Sequence, residues 1–256
     1  MGVLRFFSLR SKLAEKRVSA GVFCELPCPE AVEIAGVAGW DFVVIDGEHA
    51  PLTAAQFPGM VRAATAGGVP AIVRVASAEP AAIQHALDCG AAGVQIPQIA
   101  SVEAAREAVT AARFHPLGQR GFNPFVRAAD FSARPVAEFF ERANREVTVV
   151  LQVESAEGLE AVEGILDVEG FDVLFVGPYD LSQSLGIPGE TSHPRVFAAG
   201  ERIVRSAEGR GVTIGVFTNS ELDARRWIES GVRYLCYSVD TVLLLEGLRG
   251  ALRKLR

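Results

Sequence analysis

The sequence predicts one (β/α)8 barrel, an α/β fold of the TIM type. Three observations carry this: the length, a helix–glycine–strand unit that recurs along the chain, and the lack of any linker that would divide it. The 256 residues match the size of a single such barrel, and 49% hydrophobic with 22% charged residues is a globular composition able to fill its core. Residues 1–256 are therefore read as one domain, and disorder as the main state is excluded.

Each unit is a helix-period segment, a glycine suited to a left-handed cap, then a short β-branched run. The first run is Ala20 to Glu25. Gly39 precedes Asp41 to Asp46, Gly67 precedes Pro70 to Val75, and Gly90 precedes Gly93 to Pro97. Thr148 to Glu154 is the fifth run. The series then continues with Gly170 before Asp172 to Gly177, Gly211 before Thr213 to Phe217, and Gly231 before Tyr234 to Ser238. Most of these runs are continuously apolar rather than alternating, as in strands buried on both faces. Eight strands alternating with helices favour the closed barrel, and a doubly wound open sheet is the alternative. One irregular stretch, Phe114 to Arg134, contains Pro116, Gly118, Gly121, Asn123 and Pro124 and precedes a helical segment, Pro135 to Asn144. A loop that long in a compact domain is usually functional.

Composition also excludes function classes. The 25 basic residues are scattered among 31 acidic ones for a net charge of −6, which leaves no footprint for nucleic acid. No apolar run is long enough to cross a bilayer, and Met1 to Phe7 is too short for a signal sequence, so a cytoplasmic protein without a membrane partner is expected. Cys24, Cys28, Cys89 and Cys236 form no CxxC pair and read as small hydrophobes. Lysine occurs only at Lys12, Lys16 and Lys254. A core amine for an imine-forming aldolase or a pyridoxal phosphate aldimine is therefore missing, and carbonyl chemistry here needs another electrophile.

In a parallel barrel the site lies at the C-terminal ends of the strands. The polar residues there are Asp46-Gly47-Glu48-His49, Arg74, Gln95 and Gln98, Gln152 and Glu154, and Gly177-Pro178-Tyr179-Asp180. Gln152 and Glu154 share one face by strand alternation. Glu154 and Asp180 end neighbouring strands and could meet as hard oxygen ligands of a divalent ion, completed by water and a chelating 2-oxo acid. The competing reading makes both of them helix caps. Arg74 ends a buried run, where it either binds a substrate anion or oxyanion or pairs with a strand-end carboxylate. His49 follows Asp46 by three residues, so Asp46 could accept from one ring nitrogen and leave the other to move protons; a structural role is the alternative. His85, His115 and His193 read as structural. The amides of Tyr179 and Asp180 at a helix start could face a substrate carboxylate. Arg120, beside Gly121 in the long loop, reads as a lid or second anion contact, or else as a solvated arginine.

The set Asp46-Gly47-Glu48-His49-Ala50-Pro51, Arg74, Gln152-Val153-Glu154 and Gly177-Pro178-Tyr179-Asp180-Leu181 resembles the HpcH/HpaI family of metal-dependent (class II) 2-keto acid aldolases. Gly39-Trp40-Asp41-Phe42 and Gly186 add to the likeness, which spans about residues 10 to 253. The resemblance implies a barrel whose last helix exchanges between subunits, in dimers that stack into hexamers. It implies Mg2+, Mn2+ or Co2+ on Glu154 and Asp180, and Gln152 and Arg74 at the pyruvate keto oxygen or a metal-bound water. His49 would be the base oriented by Asp46, and Asp88 matches a position that approaches a neighbouring subunit's histidine. Tyr179 and the loop Gly118 to Ala128 depart from the family's commoner forms at places that set specificity. The expected reaction is reversible cleavage of a 4-hydroxy-2-oxo acid to pyruvate, or a related 2-oxo acid, and an aldehyde. A Claisen-type condensation with an acyl thioester, as in siderophore-pathway relatives, and a catalytically silent 2-oxo acid binding protein are the alternatives.

Overall fold

The structure, a computed structural model, describes residues 7–15, 17–133 and 135–256. After a short helix α1 (Arg10–Ala14), the chain runs β1 (Ser19–Cys24), α2 (Pro29–Val37), β2 (Phe42–Asp46), α3 (Phe57–Ala66), β3 (Ala71–Arg74), α4 (Pro80–Asp88), β4 (Gly93–Ile96) and α5 (Val102–Ala112). It continues with α6 (Val136–Glu146), β5 (Thr148–Val153), α7 (Ala156–Glu160), α8 (Val162–Leu166), β6 (Val173–Val176), α9 (Pro178–Ser184) and α10 (Pro194–Ser206). The last elements are β7 (Thr213–Thr218), α11 (Glu221–Ser230), β8 (Tyr234–Val239) and α12 (Asp240–Arg253). All eight expected strands are present, each within a residue or two of its sequence limits.

Every strand is parallel to its neighbours, and β1 pairs with both β2 and β8, with Ser19 opposite Tyr234. This closure rules out the open-sheet alternative. Alternation along each strand divides the apolar residues between two cores. Val43 and Ile45 of β2, Ala71 and Val73 of β3 and Val149 and Leu151 of β5 face the helices. Phe42, Val44, Ile72, Val150, Val173, Phe175, Tyr234 and Cys236 fill the barrel, with Phe42 stacked on Tyr234 at 4.2 Å between centroids. Leu9 and Leu13, flanking and within α1, join this inner core. They close the N-terminal end, where Lys12 pairs with Asp41 just before β2.

The expected left-handed glycines appear at Gly39, Gly90, Gly170, Gly211 and Gly231. The exception is Gly67, which has φ −72° while Gly68 takes the left-handed conformation at φ +74°. Gly67 is glycine for another reason, since a Cβ there would lie 2.7 Å from the Glu33 carbonyl on the adjoining α2. The four cysteines are free thiols, three of them buried. Among the described residues no helix is long and apolar enough to cross a membrane.

Candidate active site

The same alternation that sorts the cores aims the chemistry. Counting by twos from the inner-core residues, Val44 leads to Asp46, Ile72 to Arg74, Val150 to Gln152 and Glu154, and Phe175 to Gly177. Of these, Arg74, Gln152 and Gly177 line a cavity of about 390 Å³ at the C-terminal mouth, together with Phe23, His49, Tyr179 and Asp180. Asp46 and Glu154 lie behind that lining, in hydrogen-bond contact with Arg74 and Gln152.

Arg74, backed by the fully buried Asp46, forms part of the cavity wall. Nε and Nη2 of Arg74 donate to the two Asp46 carboxylate oxygens at 2.9 and 2.7 Å, and Nη1 lies 3.3 Å from Glu48 Oε2. The guanidinium also sits 4.7 Å from the Phe23 ring centroid. The ion-pair reading of Arg74 is the one seen here, and the same buried side chain lines the cavity. Burial alone would raise the Asp46 carboxyl, but the Arg74 guanidinium and the amides of Glu48 and His49 override it and hold the group below the usual carboxylate range. For Arg74, burial is likewise outweighed by Asp46, Glu48 and Glu154, which raise its pKa.

One expectation is corrected here. Asp46 reaches His49 through the backbone amide, and its carboxylate is committed to Arg74 rather than to the imidazole. The acid beside the His49 ring is Glu48, whose Oε2 lies 3.7 Å from Nε2. Side-chain alternation explains this: Asp46 points into the barrel, where Arg74 waits, while the chain turns outward before His49.

Glu154 is held from two sides. Gln98, in a left-handed conformation at φ +60°, donates its amide to Oε1 at 2.8 Å, and Gln152 Nε2 donates to Oε2. Gln95 donates to Gln152 Oε1, and Tyr234 reaches Gln95 from inside the barrel. This relay orients the Gln152 amide and leaves its second N–H for the cavity. Burial raises the Glu154 carboxyl, and the charges of Glu48 and Asp180 add to the rise against the Gln152 and Gln98 hydrogen bonds. Neither Glu154 nor Asp180 caps a helix, because Ser155 caps α7 and α9 has no side-chain cap. Asp180, at the end of the neighbouring strand, thus places a second carboxylate near Glu154, and two such hard oxygen donors are of the kind a divalent cation takes. Among the described residues no larger cluster of metal-binding side chains exists.

The approach of β6 to Glu154 depends on Gly177. A Cβ at that position would fall 2.6 Å from Glu154 Oε2 and 2.9 Å from its Cβ. Gly177→Ala is expected to keep the fold and push the carboxylate aside, lowering kcat/KM by about a hundredfold, the scale for an ångström-sized misplacement. Circular dichroism together with turnover checks this.

Tyr179 is half exposed and lies 6.0 Å from the Phe217 ring. Arg120 is not at the mouth, contrary to the lid reading. Its guanidinium is buried beside Asp88 at 2.6 Å and over Phe114 at 4.6 Å. The reason is the path of the loop, which folds back on the end of α5: the amides of Gln119 and Arg120 donate to the carbonyls of Thr110 and Arg113. The sequence reading also gave no role to Glu25, Asn219 or Ser238, which line the cavity from β1 and β7–β8. Strand parity could have found Glu25, two residues beyond inward-facing Phe23.

Residues 19–246 match the HpcH/HpaI aldolase/citrate lyase family. A 5-keto-4-deoxy-D-glucarate aldolase from Shigella boydii is 36% identical over 231 residues, covering 90% of this chain and 89% of the relative. Among solved structures, an HpcH/HpaI aldolase/citrate lyase family protein from Burkholderia cenocepacia J2315 superposes with a TM-score of 0.91 at 37% identity, covering 97% of this chain and 98% of that one. The citrate synthase SbnG superposes with a TM-score of 0.87 at 30% identity, covering 96% of each chain.

Proposed function

The chain belongs to the HpcH/HpaI aldolase/citrate lyase family, and from that premise we propose that Glu154 and Asp180 hold a divalent metal ion, Mg2+, Mn2+ or Co2+, on which its aldol chemistry depends. The enzyme is an aldolase, a carbon–carbon lyase. Its reaction is reversible cleavage of a 4-hydroxy-2-oxo acid to pyruvate, or a related 2-oxo acid, and an aldehyde. The observation that carries the metal reading is the buried Glu154 carboxylate, raised first by burial and then by Glu48 and Asp180, with no ion-pair partner among the described residues. The bound ion supplies a Lewis acid toward the 2-oxo acid.

The chain's own residues do the rest. The outward N–H groups of Arg74 and the free N–H of Gln152 point at the oxo oxygen and hold the charge that gathers there as an enolate. The amides of Tyr179 and Asp180, at the first turn of α9, take the acid's carboxylate. His49 accepts the proton of the C4 hydroxyl, the C3–C4 bond breaks, and its electron pair forms the enolate, which is protonated at C3 to give pyruvate. Among the described residues no lysine is placed to form an imine: Lys12 pairs with Asp41 at the opposite end of the barrel, and Lys254 follows α12.

His49→Ala is expected to slow cleavage by about 10² to 10⁴, the usual contribution of a positioned base, with a smaller effect on pyruvate binding. Kinetics across pH check this, and an unchanged rate and profile would make His49 structural. The likeness to SbnG favours a second reading, condensation with an acyl thioester. Mixing oxaloacetate and a thioester separates the two, because only the Claisen reading releases thiol. Leu244, Leu245, Leu248 and Leu252 stand exposed on α12, a helix with no buried residue, and this supports a homo-oligomer in which α12 packs on a second subunit. A cytoplasmic location fits an enzyme of small 2-oxo acids.

A further inference from the structure

One wall of the cavity has no role in the reaction as described: the side formed by the end of β1 and the start of α12. Glu25 stands there, next in the inward series after Gly21 and Phe23 and lining the same cavity as His49 and Arg74. Its position is fixed by the backbone, because Asp240 at the start of α12 accepts the amides of Glu25 and Leu26 at 3.0 and 3.1 Å. Asp240 is thereby spent on the main chain. No hydrogen-bond or ion-pair partner of the Glu25 carboxylate is found among the described residues, so it faces the cavity as an uncommitted acceptor.

The charges around it leave little room for a second anion. Among the described residues Arg74 is the one arginine lining the cavity, and Asp46 and Glu48 already engage it. The remaining wall on this side is apolar or neutral, with Phe217, Val239, Val242, Asn219 and Ser238. Burial, then the charges of Asp46 and Asp240, push the Glu25 carboxyl up against the opposing pull of Arg74 and His49, as in a region already short of cations.

We propose that Glu25 is a specificity-determining residue that selects a neutral, hydroxylated aldehyde over a carboxylate-bearing one as the partner of the 2-oxo acid. The inference rests on the aldolase reading. A hydroxyl on the carbon next to the aldehyde donates to Glu25, whereas a carboxylate in that place meets like charge with no uncommitted cationic side chain on this wall to offset it.

Glycolaldehyde and glyoxylate form a matched pair, differing by CH2OH against a carboxylate beside the aldehyde. The test condenses each with pyruvate on the Mn2+-loaded enzyme and compares the ratio of their kcat/KM values in the parent, Glu25→Gln and Glu25→Lys. Comparing ratios between variants cancels the intrinsic reactivity of the two aldehydes and any general loss of activity. The ratio is expected to shift toward glyoxylate by about tenfold in Glu25→Gln and further in Glu25→Lys. A ratio unchanged in both variants overturns the inference while leaving the aldolase reading intact. A parent enzyme that neither exchanges the methyl protons of pyruvate nor condenses it with any aldehyde overturns the aldolase reading, and the inference with it.

Discussion

Glu154→Gln is expected to leave a folded barrel that has lost at least about 10³ in cleavage rate. Removing a Lewis acid costs several kcal/mol of transition-state stabilisation, and about 4 kcal/mol is a factor near 10³. The substitution keeps the side chain's size and its acceptor toward the Gln98 amide, but removes the charge that a dication needs. Stability should change little, for two opposed reasons. The raised carboxyl of Glu154 costs stability above the ordinary glutamate range, where the folded state resists ionisation, and the amide ends that cost. The amide in turn sets one N–H donor against Gln152 Nε2, which now donates to Glu154, a mismatch worth about 1 kcal/mol. Tm at neutral pH is therefore expected within a few degrees of the parent, while added Mn2+ raises the Tm of the parent only. Calorimetric titration with Mn2+ and turnover after exhaustive chelation complete the test. Full activity in the variant, or in chelated parent enzyme, would refute the metal assignment.

Arg74→Lys is expected to lower cleavage by about 10² to 10³, the cost of losing one preorganised donor to an oxyanion. Charge is retained, but an ammonium cannot span both Asp46 oxygens and also approach Glu48 as the fork does. The enolate is common to cleavage and to exchange of pyruvate's methyl protons, so both rates should fall together. If exchange persists at the parent rate while cleavage falls, Arg74 acts on the aldehyde half. Stability should show a second signature. Because the folded-state pKa of Asp46 is depressed, its contribution is present above the unfolded value of about 3.9 and is lost as pH falls through the folded value. With a weaker partner the depression shrinks, so the acid-unfolding midpoint of the variant should move to higher pH.

Much of the fold was legible because it rests on local signals. Continuous apolar runs such as Phe42 to Ile45 mark strands buried on both faces, and glycines such as Gly39 and Gly231 adopt the left-handed conformation that ends the preceding turn. Gly67 shows where such a signal misleads: a glycine after a helix predicts a left-handed cap, but the neighbouring Gly68 supplies that conformation and Gly67 instead admits the backbone of α2.

The site was legible as a set but not as a network. Strand parity puts Gln152 and Glu154 on one face, since alternate residues of a strand share a face whatever the surrounding fold, while the inward direction shared with Asp46 and Arg74 comes from the barrel itself. Sequence order and residue chemistry thus determined the barrel and the strand ends at which its polar residues stand. Which of them touch depends on barrel closure and loop paths, which join residues far apart in sequence. Only the tertiary structure paired Asp46 with Arg74 instead of the His49 ring, because β2 and β3 lie in register with Asp46 opposite Arg74. Only it withdrew Arg120 to Asp88, because the loop hydrogen-bonds back onto α5, and only it brought Glu25 to the cavity wall, because β1 closes against β8 and Asp240 pins the strand's end.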